Sequence, residues 1–157
     1  MGILRAVGHG LVAGAAGTTA LNAATYLDMV LRARPASEIP GKAVDLLVEK
    51  ADRPIPGEGD DKDNRREATA ALLGIATGLG VGAVAGLLGP ALTRLPRAFA
   101  GLAVGGVAMA ASDLPLTKLG LTDPKQWSTT DWASDAIPHA AYGLVTVAAL
   151  RAMQHRT

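Results

Sequence analysis

An all-α integral membrane bundle of four short spans is the fold class this sequence predicts, on three observations. Residues 68–93 run 26 positions without a charged side chain, which at about 1.5 Å per residue outspans a ~30 Å hydrocarbon core. Through that run step Gly74, Gly78, Gly82 and Gly86, a stripe along which another backbone can come close. Finally, 49% of the 157 residues are apolar, yet 19 are Gly and the aromatics number only 2 Trp, 2 Tyr and 1 Phe. A core built in water leans on larger side chains for buried area, whereas in lipid small residues permit close helix contact.

The four spans follow in order within a single membrane domain, residues 1–157. The first is expected at about 6–30. Arg5 before an apolar run has the look of a signal peptide, but the uncharged run reaches Leu27, so it reads as a retained span. The second, about 69–88, is ended by Gly89-Pro90. The third, about 98–112, and the fourth, about 136–150, hold 15 uncharged residues each, a length that also suits buried core helices. Asp113 and Asp135 at their ends, buried in the bundle or reaching an interface, extend each helix by a turn.

Between the first two spans lies a polar segment, 32–67. Ser37 is a suitable N-cap, and Val44, Leu47, Val48 and Ala51 follow at helical spacing, so a short amphipathic helix is expected on the membrane surface or docked on the bundle. The mixed-charge run 58–67 reads as solvated. Pro115, Pro124, Trp127 and Trp132 mark the loop 113–131, and the two tryptophans are interface anchors at headgroup level. Loops one and three carry ten of the 15 Lys and Arg residues, which puts them in the cytoplasm and both termini outside.

An internal repeat is suggested by Gly10-Leu11-Val12-Ala13-Gly14 aligned on Gly101-Leu102-Ala103-Val104-Gly105. Continued without a gap, the alignment sets Asn22 against Asp113. Gly10, Gly14, Gly101 and Gly105 are thus candidate helix-packing residues beside the stripe on the second span. The stripe either packs inside its own bundle, the reading favoured by these grooves, or drives self-association.

The densest polar face is on the fourth span. Asp131, Asp135 and His139 step by four and Tyr142 follows three later, so all share one helix face. Asp135, His139 and Tyr142, with Asn22 and Asp113 as further members, form a candidate polar pathway for protons or a small cation. In the competing reading Asp135 is the helix N-cap, Pro138 sits in the first turn and Asp131 is in solvent. Asp113 before Leu114-Pro115 suggests a helix end. Asn22 and the threonines at 18, 19 and 25 are expected to hydrogen-bond across helices.

Several function classes find no support. A net charge of +1 offers no basic stripe for nucleic acid, and without cysteine there are no disulfides or thiolate metal sites. Asp61 and Asp63 lack the glycine and distal glutamate of a calcium loop. No nucleophile elbow, phosphate loop or zinc-protease signature is present. No catalytic residues, cofactor or metal site are expected.

The run His139-Ala140-Ala141-Tyr142-Gly143, with the small-residue segment 10–20, resembles the YagU-like and related uncharacterised four-span bacterial membrane proteins. Asp123-Pro124, Trp127, Asp131-Trp132, Asp135 and Pro138-His139 are similar to actinobacterial membrane proteins of this size. The resemblance implies an inner-membrane helical bundle and no established activity. The function expected is a non-enzymatic accessory or interaction component whose partners are the lipid bilayer and other membrane proteins or a second copy. The alternative is a transporter or channel using the Asp/His/Tyr face.

Overall fold

Six α-helices and one 3-10 turn make up the computed structural model, which describes residues 2–154. α1 (Ile3–Arg32) is continuous for 30 residues and stops where Ala33 turns left-handed, its N–H donating to Met29 O. Beyond it, α2 (Ile39–Lys50) begins with Pro40 in its first turn. The N-cap is Glu38, one residue past the expected Ser37, whose hydroxyl instead accepts from the Ile39 N–H at 3.3 Å. Its apolar stripe docks on the next helix through Val44, which is fully buried.

That next helix, α3 (Gly59–Leu87), starts inside the mixed-charge run. The run is helical, not merely solvated loop, because its charges suit a helix. Asp60 and Asp61 stand at the positive end of the dipole. Arg66 reaches Asp63 one turn back at 3.3 Å and Asp45 of α2 at 3.4 Å. A single turn, α4 (Gly89–Leu92), follows the expected break at Gly89-Pro90.

α5 (Arg97–Lys118) corrects the expected helix end at Asp113. Pro115 forfeits one intrahelical hydrogen bond but suits helical φ. The chain closes beyond it, with the Leu119, Gly120 and Leu121 amides donating to Pro115 O, Thr117 O and Leu116 O. After the 3-10 turn Pro124–Gln126, α6 (Thr129–Gln154) runs 26 residues. Its N-terminal box is Ser128 and Asp131: Asp131 Oδ2 accepts from the Ser128 N–H at 2.9 Å, and Ser128 Oγ accepts from the Asp131 N–H at 3.2 Å. Asp135 is therefore well inside the helix, and Pro138 lies beyond the first turn.

α1 is the hub. It packs on α3 and on α6, α6 packs on α5, and α3 meets α5 more lightly. Small residues line the helix contacts, Gly10, Ala13, Gly14 and Gly17 from α1, Gly78, Gly82 and Gly86 from α3, Ala100, Gly105 and Ala108 from α5, and Val104, Tyr142, Val147 and Leu150 fill the core beside them. Many other large apolar side chains point outward, among them Ile3, Leu4 (89% exposed), Val30, Leu72, Phe99 and Ile137. Among the described residues two helices, α3 and α5, are long and apolar enough to cross a membrane.

Candidate functional site

The helix seams place the candidate glycines first. A Cβ added to Gly82 would sit 2.5 Å from both Gly10 O and Gly14 Cα, so the backbones of α1 and α3 touch there. Gly78 and Gly86 continue the seam, the first against the Thr18 side chain, the second against Ala6 O and Gly10. Gly74 meets nothing within 4 Å and stands apart from it. On the other side of the bundle Gly143 of α6 is wedged against Gly101 O and Gly105 of α5. The two seams repeat one arrangement: Gly82 lies between Gly10 and Gly14 as Gly143 lies between Gly101 and Gly105. The aligned segments thus occupy equivalent places, each gripping the helix that follows it in the bundle.

The polar residues of α6 divide between two neighbours. Three residues apart is about 60° around a helix, enough to direct adjacent side chains to different partners. Tyr142, only 1% exposed, crosses to α3, where its hydroxyl donates to Gly78 O at 2.6 Å. Its ring packs on Gly17 of α1 beside Thr146. His139 turns to α5, with Nε2 3.4 Å from Ser112 Oγ. Its Nδ1 is 2.8 Å from Asp135 O and 3.4 Å from Asp135 Oδ1. A carbonyl only accepts, so Nδ1 carries the hydrogen and Nε2 of the neutral ring is left as the acceptor.

Asp113 joins this group, its carboxyl within hydrogen-bonding reach of Asp135. Asp135 Oδ2 is buried with no hydrogen-bond partner. The site is therefore Ser112 and Asp113 from α5 with Asp135 and His139 from α6, a half-buried polar group between two helices. Pro138, buried between them, lacks an N–H and leaves the Ser134 carbonyl without its helix donor.

Other expected members lie elsewhere. Asn22 is exposed and makes no hydrogen bond, so it stands outside the group. Thr18 and Thr19 donate to Gly14 O and Ala15 O of their own helix instead of bridging helices, the usual back-bond of a helical hydroxyl. Tyr142 anchors the α3 seam instead of lining the acid group. Trp127 and Trp132 stack edge to face with centroids 5.0 Å apart, and Trp127 Nε1 donates to Thr122 Oγ1 at 2.8 Å. Asp28 binds Arg32 and Arg34, and Arg32 also reaches Ser134 Oγ, tying the end of α1 to the start of α6.

Ser112, Ser128 and Gly143 were not singled out from sequence. The Ser-x-x-Asp spacing marks the second as a cap, whereas the equivalence of Gly143 to Gly82 shows only in the packed helices. Among the described residues no three His, Asp or Glu side chains close around a common point as metal ligands would. Fold and site together define a class, an all-helical bundle with small-residue seams and an acid–histidine group between two helices. No protein-family model matches the chain, and no curated protein or solved structure does either.

Proposed function

We propose that this protein is an integral membrane bundle in which α1, α3, α5 and α6 each span the bacterial inner membrane. It acts there as a non-enzymatic component that associates with other membrane proteins. The observation that carries the reading is the distribution of side chains: glycine and alanine line the helix contacts, while many large apolar side chains, among them Leu4, Val30, Leu72, Phe99 and Ile137, are exposed. In water that distribution strands apolar area, whereas lipid solvates it. The outer surface of α1 bears much of the exposed apolar area although that helix falls short of the length-and-composition standard met by α3 and α5. Extraction tests the membrane reading: the protein should stay with membranes through an alkaline carbonate wash and leave only with detergent. Native mass spectrometry of the gently extracted protein should then reveal a second chain at fixed stoichiometry. A lone chain counts against the interaction role.

A second reading, proton or small-solute transport, is favoured by the contact between Asp113 and Asp135 beside His139. Proteoliposome flux tests it. Loss of flux in Asp135→Asn and His139→Ala supports transport through the group, and unchanged flux removes it.

A further inference from the structure

We propose that the cleft between the end of α2 and the middle of α3 binds the headgroup of an anionic phospholipid. The proposal rests on the reading of α3 as a membrane span. The cleft holds about 360 Å³ and is lined by Arg53 and Arg65 over a floor that includes Val48, Ile55 and Leu72, with no acid in its lining. Its position along α3 is decisive: the helix is densely charged up to Glu67 and uncharged over residues 68–93. The cleft straddles that boundary, where the phosphate layer of a leaflet would meet the helix, and its apolar floor continues toward the acyl chains.

Charge and donor accounting select the occupant. The Arg53 guanidinium makes no hydrogen bond or ion pair, and Arg65 uses one N–H on Pro56 O at 3.0 Å, keeping four donors. Of the nearby acids, Asp45 and Asp63 are engaged with Arg66, while Asp52, next to Arg53, and Asp61, near the Arg65 guanidinium beside Gly57, make no ion pair with either arginine. Two free guanidiniums above an apolar floor match a phosphodiester with its glycerol and first methylenes. A zwitterionic lipid lacks the net negative charge, and free phosphate gains nothing from the floor.

Native mass spectrometry on the full chain in neutral detergent tests this, with phosphatidylglycerol and phosphatidylcholine of the same acyl chains as probes. Wild type should retain phosphatidylglycerol preferentially. Arg53→Gln should weaken retention about fivefold and the Arg53→Gln/Arg65→Gln pair about thirtyfold, from the usual strength of one cation at an anionic surface. Arg65→Lys, which keeps the charge if the loop holds, should retain most of it. Equal retention of the two lipids, or no loss in the double variant, overturns the site. Displacement of phosphatidylglycerol by millimolar inorganic phosphate overturns the lipid assignment. Release by carbonate without detergent topples the spanning reading, and an integral protein with no lipid preference topples this inference alone.

Discussion

Replacing Gly82 by alanine adds one methyl group where α1 and α3 have no room for it. The new Cβ would lie 2.5 Å from Gly10 O and Gly14 Cα, and both are backbone, so neither can rotate away. Ordinary carbon contacts begin near 3.5 Å, so the helices must part by about 1 Å, a gap that forfeits a quarter to a half of each dispersion contact along the seam. Overpacking of this kind costs about 1–3 kcal/mol. The same substitution at Gly80, which faces nothing within 4 Å, escapes that cost and gains up to about 1 kcal/mol of helix propensity. Unfolding in mixed micelles, followed by far-UV circular dichroism against denaturing detergent, should place Gly82→Ala well below wild type and Gly80→Ala at or above it. Gly143→Ala should behave like Gly82→Ala on the α5–α6 seam. Coincident curves for Gly80→Ala and Gly82→Ala would refute the argument that backbone contact holds these helices together.

Tyr142→Phe keeps the buried ring but removes the bond to Gly78 O, and should lower stability by about 1 kcal/mol in the same titration. Ser128→Ala removes the α6 cap at a cost of about 1 kcal/mol, visible as faster amide exchange in the first turn of that helix. Asp131 lies in the first turn of α6, ahead of the uncharged stretch 136–150 that would sit in the bilayer, and its bonds from Ser128 hold its carboxyl below the ordinary value of 3.8. A lowered folded-state value means the carboxylate stabilises fully above 3.8 and loses its contribution as pH falls through the lowered value. The gap between wild type and Ser128→Ala should therefore narrow below about pH 4. Arg151 donates to Leu92 O at 2.9 Å and Leu95 O at 2.6 Å. Arg151→Gln should loosen the α4 turn and raise protease cleavage between residues 92 and 97.

Much of the helical content was legible because its signals are local. An uncharged run of 26 residues and a glycine every fourth position need no partner to be recognised. The pairing of Gly82 with Gly10 and Gly14 was foreshadowed by small-residue spacing, since only residues without bulk allow backbone contact. The misreadings came where a local signal competed with another. Leu114-Pro115 looks like a stop, yet proline costs one hydrogen bond and the surrounding turns absorb it. Asp135 looked like a cap because an apolar run follows it, while the true cap, Ser128, sits about two turns earlier. Which neighbour each polar side chain of α6 faces depends on helix order around the bundle, and one chain's periodicity does not carry that order. Hence Tyr142 and His139, read as one stripe, serve α3 and α5 separately, and Asp113 found its partner only in three dimensions.

The seams also dictate an order of assembly. The seam between α1 and α3 needs only the first half of the chain, so that hairpin can close while the second half is still being made. α6, made after α1, α3 and α5, completes the other two: it brings Tyr142 and Thr146 to Gly17 and Gly143 to Gly101 and Gly105. Until it arrives, α5 has only its lighter contact with α3, and one face of α1 lies open. A nascent chain that stops before Thr129 therefore leaves two small-residue grooves unpaired, the Gly17 face of α1 and the Gly101/Gly105 face of α5.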